Sequence, residues 1–418
     1  MIRILQGEGA AALVTALESR RSHFADVVPM VRRIVDEVRS DGDAALRKYA
    51  RRFDGLEPKH KFVVSKAEMD AAWDSMPADL RSSVRLAAAN IRRFGEWQKP
   101  KPWRRAVDGI VFGQLVRPLK SAGCYVPAGR FPLLSTLLMT VIPAQVAGVE
   151  NIRVVSPRPS RQMLGTAAML GAREFYRIGG AQAIAALAYG TETIPPVDKI
   201  VGPGNSYVTA AKMLVSSDCA IDMLSGPTET VIVSRKGNPA FIAADLKAQA
   251  EHDPQALPVF ITTSENLAFS VAAELEHGGL VPLRKNAIAS KAVQRYGAVL
   301  IASSKKQAFA WANRIAPEHI TVEKGDLGQV RNAGSIFVGD YSVQAAGDYA
   351  CGPNHVLPTS GGARFRGGLS VLDFVKLITL QEVSPKGLQR IAPDVMRLAE
   401  TEGLRAHADS VRARCAHA

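Results

Sequence analysis

The sequence predicts an α/β protein built from two parallel-sheet units in tandem, with mainly helical segments at both ends. From about Ile110, short apolar runs alternate with helical patterns, which is typical of parallel strands joined by crossover helices. The chain has 418 residues, too many for one small core, and this length favours two or three packed units. Hydrophobic residues make up 47% and charged residues 22%, as in an ordinary globular protein.

The first hundred or so residues carry helical periodicity rather than strand patterns. Apolar residues recur at helical spacing from Asp26 to Tyr49 and again from Ser65 to Phe94, where Ser65 and Pro77 are suitable helix starts. The prolines of KPKPW then mark a break. We expect these helices to form packing surfaces or arms.

Two series of predicted strands follow. The first is IVFGQLV, CYV, IRVVS, EFYRI and DKIVG, with helices at Leu133–Ala147, Ser160–Leu170, Ala181–Gly190 and Asn205–Val215. The second is TVIVS, VFITT, AVLIA, HITVE and SIFVG, with helices at Ala240–His252, Glu265–His277, Lys291–Arg295 and Lys306–Arg314. No strict repeat relates the two series, so a shared topology rests on pattern alone. The tail from Ser384 to Ala418 returns to helix.

The composition argues against a secreted or membrane protein. No run of about 18 apolar residues occurs, and MIRILQGEGA lacks the features of a signal peptide, so we expect a cytoplasmic protein with no membrane partner. The four cysteines are widely spaced and form no CxxC, which predicts free thiols rather than disulfides; they are Cys124, Cys219, Cys351 and Cys415.

The formal net charge of +13 raises nucleic acid as a partner. The densest basic run, Arg92 to Arg105, mixes aromatic residues with cations, but no nucleic-acid-binding motif accompanies it. We therefore interpret it as a solvated helix end and linker, and we expect no nucleic-acid partner. A basic surface also suits an anionic cofactor such as a dinucleotide.

The stretch LKAQAEH contains half of a metal site. It ends a predicted amphipathic helix that begins near Pro239, and Gln249 and His252 are three positions apart, so both project from one face. An amide oxygen and an imidazole nitrogen both bind zinc, but two further ligands are needed. Alone, such a pair is more often a polar helix end than a set of metal ligands.

Two glycine-rich turns follow predicted strands and open helices. They span Ile178–Gln182 and Gly202–Asn205. Free amides and the positive end of a helix dipole favour phosphate groups at such turns. Neither turn is the GxGxxG fingerprint, so cofactor binding and simple tight turns both remain open.

Two further clusters are rich in residue types used in catalysis. Glu318 and His319 lie between Pro317 and the strand ITVE, a position typical of active-site loops, and can act as bases; the alternative is a surface Glu beside a packed His. The stretch 347–355 is predicted to be a loop that binds a ligand, because it carries Asp348 and His355 among glycines. Near the C-terminus, EGLRAH places Glu402 and His407 five positions apart.

Several long motifs together resemble the histidinol dehydrogenase family. These motifs are GGAQAIAALAYGT, VGPGNSYV, AQAEHDPQ, APEHI, GDYACGPNHVLPT and EGLRAH, and the resemblance spans nearly the whole chain. It implies a zinc-dependent enzyme that oxidises L-histidinol to L-histidine through L-histidinaldehyde, reducing two NAD+ in the last steps of histidine biosynthesis.

The resemblance also implies roles for individual residues. The zinc ligands would be Gln249, His252, Asp348 and His407, and the two general bases would be Glu318 and His319. The residues that contact substrate would be Thr228, Gln249, His252, His319, Asp348, His355, Glu402 and His407. The NAD contacts would be Tyr125, Gln182 and Asn205, which strengthens the cofactor interpretation of both glycine turns.

The implied architecture is two incomplete Rossmann-like domains in an intertwined homodimer with one zinc per subunit. We expect an N-terminal segment at 1–22, a discontinuous catalytic domain at 23–124 and 230–369, an NAD-binding domain at 125–229, and a helical tail at 370–418. The tail of one subunit would complete the site of the other, which explains why His407 has no local partners.

The implied chemistry assigns separate tasks to the two bases. His319 would remove the hydroxyl proton in the first oxidation and act again in the second. Glu318 would activate water to hydrate the aldehyde. Zinc would orient the substrate's imidazole and amino group rather than generate hydroxide.

The sequence departs from the family pattern at four positions. Thr228 stands where serine is usual, Ala128 where glycine is common, Gln344 where glutamate is frequent, and Arg366 where serine is often found. These departures allow a related dehydrogenase that acts on another primary alcohol, an anionic one if Arg366 reaches the pocket. A non-catalytic basic binding protein on the same scaffold is less favoured, because it would need neither Glu318 nor His319.

Overall fold

The computed structural model describes residues 2–20, 24–57, 61–128, 133–277 and 287–416. The strands are β1 Arg3–Gln6, β2 Trp103–Val107, β3 Ile110–Pro118, β4 Ser121–Tyr125, β5 Asn151–Val155, β6 Glu174–Tyr176, β7 Lys199–Val201, β8 Ala220–Ile221, β9 Glu229–Val233, β10 Leu257–Thr262, β11 Ala298–Ile301, β12 His319–Val322, β13 Ser335–Val338 and β14 Val375–Val383. The helices are α1 Gly7–Glu18, α2 Val28–Tyr49, α3 Lys66–Asp74, α4 Ala78–Gln98, α5 Leu134–Ala147, α6 Arg161–Met169, α7 Gly180–Tyr189, α8 Ser206–Val215, α9 Pro239–Ala250, α10 Glu265–Glu276, α11 Ile288–Tyr296, α12 Lys305–Ile315, α13 Gln344–Tyr349, α14 Pro385–Thr401 and α15 Arg405–Cys415. The predicted limits at residues 22 and 418 lie outside the described residues.

Local sequence signals explain where several helices begin. The hydroxyl of Ser65 accepts a hydrogen bond from the backbone N–H of Glu68 and caps α3, as the sequence predicts. Pro239 and Pro385 occupy the first turns of α9 and α14, where a missing N–H costs nothing. These signals are local, so the sequence predicts helix starts better than it predicts packing partners.

A five-stranded parallel sheet forms the first α/β unit, in the order β6-β5-β4-β7-β8. The chain starts in the middle at β4, builds outward through β5 and β6, and then returns to the other side for β7 and β8. The connection after β4 therefore runs to one side of the sheet, and the connection that leads to β7 runs to the other side, so the strand order reverses between β4 and β7. In open α/β sheets such a switch point forms a crevice at the carboxyl ends of the strands, where ligands bind.

A six-stranded parallel sheet forms the second α/β unit, in the order β1-β11-β10-β9-β12-β13. Apart from β1, its strand order is the same as that of the first unit. The predicted pair of α/β units is therefore confirmed, and the two units share one topology. Strand β1 was not predicted as a strand; it extends the sheet by pairing Arg3 with Ala298.

A third sheet has three antiparallel strands, in the order β14-β3-β2. Two predictions were wrong here. The run IVFGQLV becomes β3 of this sheet rather than a parallel strand, and the basic run predicted as a helix end and linker contributes the exposed strand β2. The reason is that β2 is exposed and has no apolar run, while the apolar run of β3, which is mostly half-buried, does not reveal whether its partners are parallel or antiparallel.

Helices α2, α3 and α4 pack on the five-stranded sheet, whereas α1 packs on the six-stranded sheet. Helices α3 and α4 contribute Met69 and Ile91 to a core shared with α5, while α2 contributes Val31 and Leu46 to a core shared with α7 and α8. This packing differs from the predicted domain division, which joined 23–124 to the second α/β unit. Periodicity reveals the apolar stripe of a helix but not the sheet that covers it.

The tail forms a helical hairpin beside the antiparallel sheet. Helices α14 and α15 pack against each other, and the N–H of Ser384 donates to the carbonyl of Gly109 at 2.9 Å, which ties the hairpin to the turn between β2 and β3. Apolar side chains stay exposed along this arm, with Leu377 of β14 49% exposed and Leu398 of α14 64% exposed. None of the described helices is long and apolar enough to cross a membrane.

Candidate active site

The predicted catalytic residues lie at the amino edge of the six-stranded sheet. His319 is the first residue of β12, and Glu229 is the first residue of the neighbouring strand β9. Gln249 lies in the last turn of α9, which brings the chain back to this edge. The sequence predicts a typical α/β active-site loop, but such loops lie at the carboxyl edge, so Glu318 and His319 occupy the opposite edge from the usual one.

Asp348 connects several of the predicted site residues. Its Oδ2 accepts a hydrogen bond from Nε2 of Gln249 at 2.9 Å, and its Oδ1 lies 3.5 Å from Nε2 of His319. Its backbone carbonyl accepts a hydrogen bond from Nδ1 of His355 at 2.7 Å. One residue thus links α9, β12 and the chain that follows α13.

Asp348 belongs to a short helix, so the prediction that 347–355 is entirely loop was wrong. Helix α13 has only six residues, too few to reveal a helical period in the sequence. Gln344, one of the departures from the family pattern, begins this helix and is buried. Its Oε1 accepts from Thr230 at 3.0 Å and its Nε2 donates to Thr321 at 2.9 Å, so a neutral amide is fully satisfied there.

The Asp348 carboxylate is held in its charged form. Burial alone would raise its pKa, but the hydrogen bond with His319 and the charges of His319, His355 and His252 outweigh this effect and lower the pKa below its usual value.

The hydrogen bond of His355 fixes which of its ring nitrogens carries the proton. Because Nδ1 of His355 donates to the backbone carbonyl of Asp348, Nε2 of the neutral ring is the acceptor, and it lies 3.4 Å from the hydroxyl of Thr136.

Glu318 is a buried carboxyl with few polar contacts. It is 8% exposed, and its Oε2 accepts a hydrogen bond from the backbone N–H of Glu229 at 3.2 Å. The loss of hydration raises the pKa of Glu318 to about 7, although nearby His319 and a hydrogen bond from Thr228 act in the opposite direction. A carboxyl that titrates near neutrality is suited to general-base chemistry.

His319 is buried between two carboxylates. Its Nδ1 lies 3.9 Å from Oε2 of Glu318, while its Nε2 faces Asp348. Burial lowers its pKa, but the negative charges of Glu318 and Asp348 outweigh burial and raise it above the usual value. Nδ1 is buried and has no hydrogen-bond partner among the described residues.

The predicted zinc ligands are only partly assembled. The amide nitrogen of Gln249 is used by Asp348, while its Oε1 is buried without a partner among the described residues, as expected of a metal-binding oxygen. His252 lies just beyond the end of α9 and is exposed. No three His, Cys, Asp or Glu side chains of the described residues form a complete metal site, and His407 is exposed on α15.

A cavity of about 360 Å³ opens beside these residues. His319, Asp348 and His355 line it together with apolar side chains such as Phe337. Arg366 instead lines a different cavity of about 580 Å³, and its guanidinium lies 3.3 Å from Asp373. The expectation of an anionic substrate, which depended on Arg366 reaching the pocket, gains no support from this arrangement.

The three predicted NAD contacts lie at the carboxyl edge of the five-stranded sheet. Tyr125 ends β4, and its hydroxyl accepts a hydrogen bond from the backbone N–H of Gly180 at 3.2 Å. Gln182 is buried in the first turn of α7, and Asn205 caps α8 while remaining exposed. These residues flank the switch point, where the topology predicts a ligand crevice.

Comparison with known proteins decides the family. The chain matches the family model described as histidinol dehydrogenase over residues 17–415. The chain belongs to the histidinol dehydrogenase family. It is similar to the histidinol dehydrogenase of Methanothermobacter thermautotrophicus, with 45% identity over 410 residues that cover 95% of this chain and 96% of that protein.

Two further relatives agree with this assignment. The histidinol dehydrogenase of Geobacter metallireducens is 43% identical over 419 residues, covering 97% of this chain and 95% of the relative. The crystal structure of histidinol dehydrogenase from Elizabethkingia anophelis matches with a TM-score of 0.93 and 35% identity, covering 99% of this chain and 98% of that chain. The predicted resemblance, the α/β fold and an oxidoreductase of histidine biosynthesis are confirmed.

Sequence reasoning missed several polar residues around the histidinol dehydrogenase site. Glu229 is 2% exposed next to Glu318, and burial raises its pKa to about 8. Asp54, from the end of the first helical segment, accepts hydrogen bonds from Gly179 and Gln182, both at 3.0 Å. A carboxylate at the start of the apolar strand ETVIV was the available signal for Glu229. Asp54 gave no comparable signal because its partners are more than a hundred residues away.

Proposed function

We propose that this histidinol dehydrogenase oxidises L-histidinol to L-histidine through L-histidinaldehyde, with two NAD+ reduced and one zinc bound per subunit. The observation that carries the proposal is the buried pair Glu318 and His319 beside a cavity of about 360 Å³. Burial raises the pKa of Glu318 to about 7, so the carboxyl exchanges protons near physiological pH.

The two bases take different protons. His319 accepts the hydroxyl proton of the alcohol, and its position between Glu318 and Asp348 stabilises the imidazolium that results. Glu318 takes a proton from water as that water adds to the aldehyde carbon. His319 then acts again when the hydrate loses its hydroxyl proton. NAD+ supplies the hydride acceptor for both oxidations.

Zinc would be held by Gln249, His252 and Asp348 of one chain and by His407 of a second copy. The unpartnered buried Oε1 of Gln249 and the charged state of Asp348 support this donor set. The metal supplies a fixed positive charge that orients the imidazole and amino group of the substrate.

Two further sets of residues bind the organic ligands. Thr228 and His355 of one chain, with Glu402 and His407 of the second copy, contact the substrate. Tyr125, Gln182 and Asn205 contact NAD at the switch point of the five-stranded sheet. Asp54 supports this role, because it fixes the side chain of Gln182 and the glycine turn before it.

A homodimer would complete the site. The tail hairpin carries Glu402 and His407 on exposed positions, far in sequence from the other ligands. The same arm exposes apolar side chains, including Leu377 at 49% and Leu398 at 64%. Burying such a surface against a second copy stabilises the pair and brings the two tail residues to a neighbouring site.

One assay tests the proposal. NADH formation is measured with L-histidinol and with a panel of other amino and sulfonated primary alcohols, and zinc is measured on the same protein sample. We expect two NADH per L-histidinol and about one zinc per chain, the stoichiometry of a catalytic zinc site. Faster turnover of another alcohol would show that this alcohol, and not L-histidinol, is the substrate. A fully active zinc-free protein would contradict the metal assignment.

A further inference from the structure

A buried ion pair lies beneath the glycine turn that follows β7. Lys212 of α8 and Asp222, which follows β8, form a salt bridge, and their side chains are 1% and 0% exposed. Removing two charges from water is costly, so a buried ion pair is weak evidence of added stability even when further hydrogen bonds satisfy both groups. Stability alone therefore does not account for the ion pair at this position.

Both charged groups bond to the backbone of one residue, Gly202. Asp222 Oδ2 accepts a hydrogen bond from the Gly202 N–H at 2.7 Å, and Lys212 Nζ donates to the Gly202 carbonyl at 3.0 Å. The ion pair thus holds both polar backbone groups of the glycine. We call these three residues the Gly202 clamp.

Gly202 is also fixed by its conformation. Its φ of +117° is one that side chains rarely allow, and a Cβ at this position would collide with the backbone carbonyl oxygen of Tyr125. Asn205 follows three residues later and caps α8 through the N–H groups of Tyr207 and Val208. The clamp therefore sets the spacing between Tyr125 and Asn205, two of the proposed NAD contacts.

The segment that begins at Asp222 continues towards the catalytic carboxyl. The carbonyl of Ser225 accepts a hydrogen bond from Thr209 of α8 at 3.3 Å, and the N–H of Gly226 donates to Thr359 at 2.6 Å. Two residues further, Thr228 hydrogen-bonds to Glu318. The segment from Asp222 to Thr228 is thus held at one end by the clamp and at the other by the base proposed to activate water.

We propose that Lys212 and Asp222 are positioning residues that preset the Gly202–Asn205 turn for the cofactor. The inference rests on the proposed function, because it takes NAD to bind at this edge of the sheet. Both side chains are buried beneath the turn, so they act through Gly202 rather than on the cofactor itself. Their function is to keep the turn in its binding geometry before the dinucleotide arrives.

The test measures NADH affinity by fluorescence titration, together with KM for NAD+ and for L-histidinol. Lys212→Met keeps the chain length but removes the donor, and it should weaken NADH binding and raise KM for NAD+ about ten- to hundredfold, as expected for a misplaced binding group. KM for L-histidinol should stay unchanged. Lys212→Gln keeps a shorter donor and should fall between the parent and Lys212→Met.

A second ion pair on the same sheet provides the control. Arg153 of β5 and Glu174 of β6 are 2.8 Å apart, and their side chains are 8% and 32% exposed, so this pair is less buried than Lys212 and Asp222. Arg153→Met should lower thermal stability while leaving NADH affinity unchanged. Equal loss of NADH affinity in Arg153→Met and Lys212→Met would overturn the proposal, because it would reflect general damage to the domain.

A double variant separates positioning from stability. Lys212→Met combined with Asp222→Leu leaves no unpaired buried charge, so its stability should recover relative to the single variant, while its NADH affinity should stay low. If the double variant recovers NADH affinity together with stability, or if either Lys212→Met or the double variant binds NADH as the parent does, the positioning role of Lys212 and Asp222 is contradicted. A parent protein that neither binds NADH nor oxidises L-histidinol would instead contradict the proposed function, and with it the positioning role that depends on that function.

Discussion

The two α/β units share one strand order but differ at the carboxyl edges of their sheets. In the five-stranded unit, Ser160 and Asn205 cap α6 and α8, but α5 and α7 begin without a side-chain cap. In the six-stranded unit, the helices after β9, β10 and β11 are all capped by side chains, from Asn238, Ser264 and Ser304. Helix starts without a side-chain cap, the kind that suits an anionic ligand, therefore follow β4 and β6 of the first unit.

The switch point of the six-stranded unit is filled by a carboxylate of the protein. Oε1 of Glu323, which follows β12, accepts hydrogen bonds from the N–H groups of Arg235 and Lys236 at 2.7 and 3.1 Å and from the hydroxyl of Ser234 at 3.0 Å. These donors follow β9, the strand next to β12. The position that a ligand anion would take is occupied, and the predicted catalytic residues lie at the other edge.

The comparison teaches that strand order alone does not locate chemistry. The same topology carries the proposed ligand crevice at the carboxyl edge of the first unit and the proposed catalytic side chains at the amino edge of the second. At the carboxyl edge, α5 and α7 of the first unit start without a side-chain cap, whereas Glu323 occupies the switch point of the second unit. The following predictions test this division, from the largest expected effect to the smallest.

Asp348→Ala should have the largest effect on the amino edge of the six-stranded sheet. It removes a proposed zinc ligand and the partner of His319, so turnover should fall by more than about ten thousandfold, beyond the range of a single general base. Zinc content should fall from about one per chain to almost none. Asp340→Ala, an exposed carboxylate at the opposite edge, is the matched control. Full activity of metal-free Asp348→Ala would refute the metal role.

Glu318→Gln should slow oxidation of the aldehyde by about a hundred- to ten-thousandfold, the range of general-base catalysis, and the first oxidation by much less. The base acts when deprotonated, and burial raises the pKa of Glu318 to about 7, so the rate of the parent's aldehyde step should rise with pH and reach half its plateau near that value. The variant should lack this dependence. Stopped-flow measurement of each oxidation gives the two rates separately. Small, equal effects on both steps would contradict the assignment of Glu318 as the base of the aldehyde step.

Mixed dimers should recover activity if the tail completes the partner's site. An equal mixture of Glu318→Gln and His407→Ala chains, allowed to exchange, should regain about a quarter of the parent activity, because half of the dimers are mixed and one site in each is intact. Each variant alone should be nearly inactive. No recovery despite exchange demonstrated by mass spectrometry would show that the tail does not act on the partner.

Glu323→Gln should have the smallest effect on catalysis, because it changes the carboxyl edge that we take to be unused. Its free energy of unfolding should fall by about 1.5–3 kcal/mol, the contribution of hydrogen bonds to a charged group. The bonds to Arg235, Ser234 and Lys236 overcome burial and lower the pKa of Glu323 below 4.5, so the stability difference should be full near neutral pH and shrink as pH falls below 4.5. Chemical denaturation of parent and variant at several pH values measures this difference in the free energy of unfolding. A large loss of turnover in Glu323→Gln would contradict the proposal that catalysis does not use the carboxyl edge of the six-stranded sheet.

The sequence predicts the elements of this fold better than their arrangement. Periodicity and capping signals locate most helices and buried strands. The spacing of Gln249 and His252 predicts both on one helix face, but α9 ends at Ala250, so Gln249 is buried in its last turn and His252 lies beyond it and is exposed. The partners of these elements are set by contacts across long stretches of chain. Pattern alone could not pair β1 with β11, nor assign α2, α3 and α4 to the five-stranded sheet.

The same limit applies to the candidate site. Short motifs identify Glu318, His319 and Asp348, because each stands out from its neighbours in residue type. Lys212 and Asp222 gave no signal of their function, since a lysine near the end of a helix is ordinarily solvated. The positioning role proposed for them depends on their hydrogen bonds with Gly202, which form only because α8 packs beneath the sheet edge.

The pairing of β1 with β11 also sets an order of events during synthesis. Arg3 pairs with Ala298, so the six-stranded sheet cannot be completed until almost the whole second unit has left the ribosome. At ordinary rates of translation, about 300 residues take roughly 15 to 60 s, during which the amino-terminal strand has no partner edge. The five-stranded unit is made in that interval and can fold first. Removing β1 should therefore leave early folding of that unit unaffected and expose β11 as the edge of the other sheet.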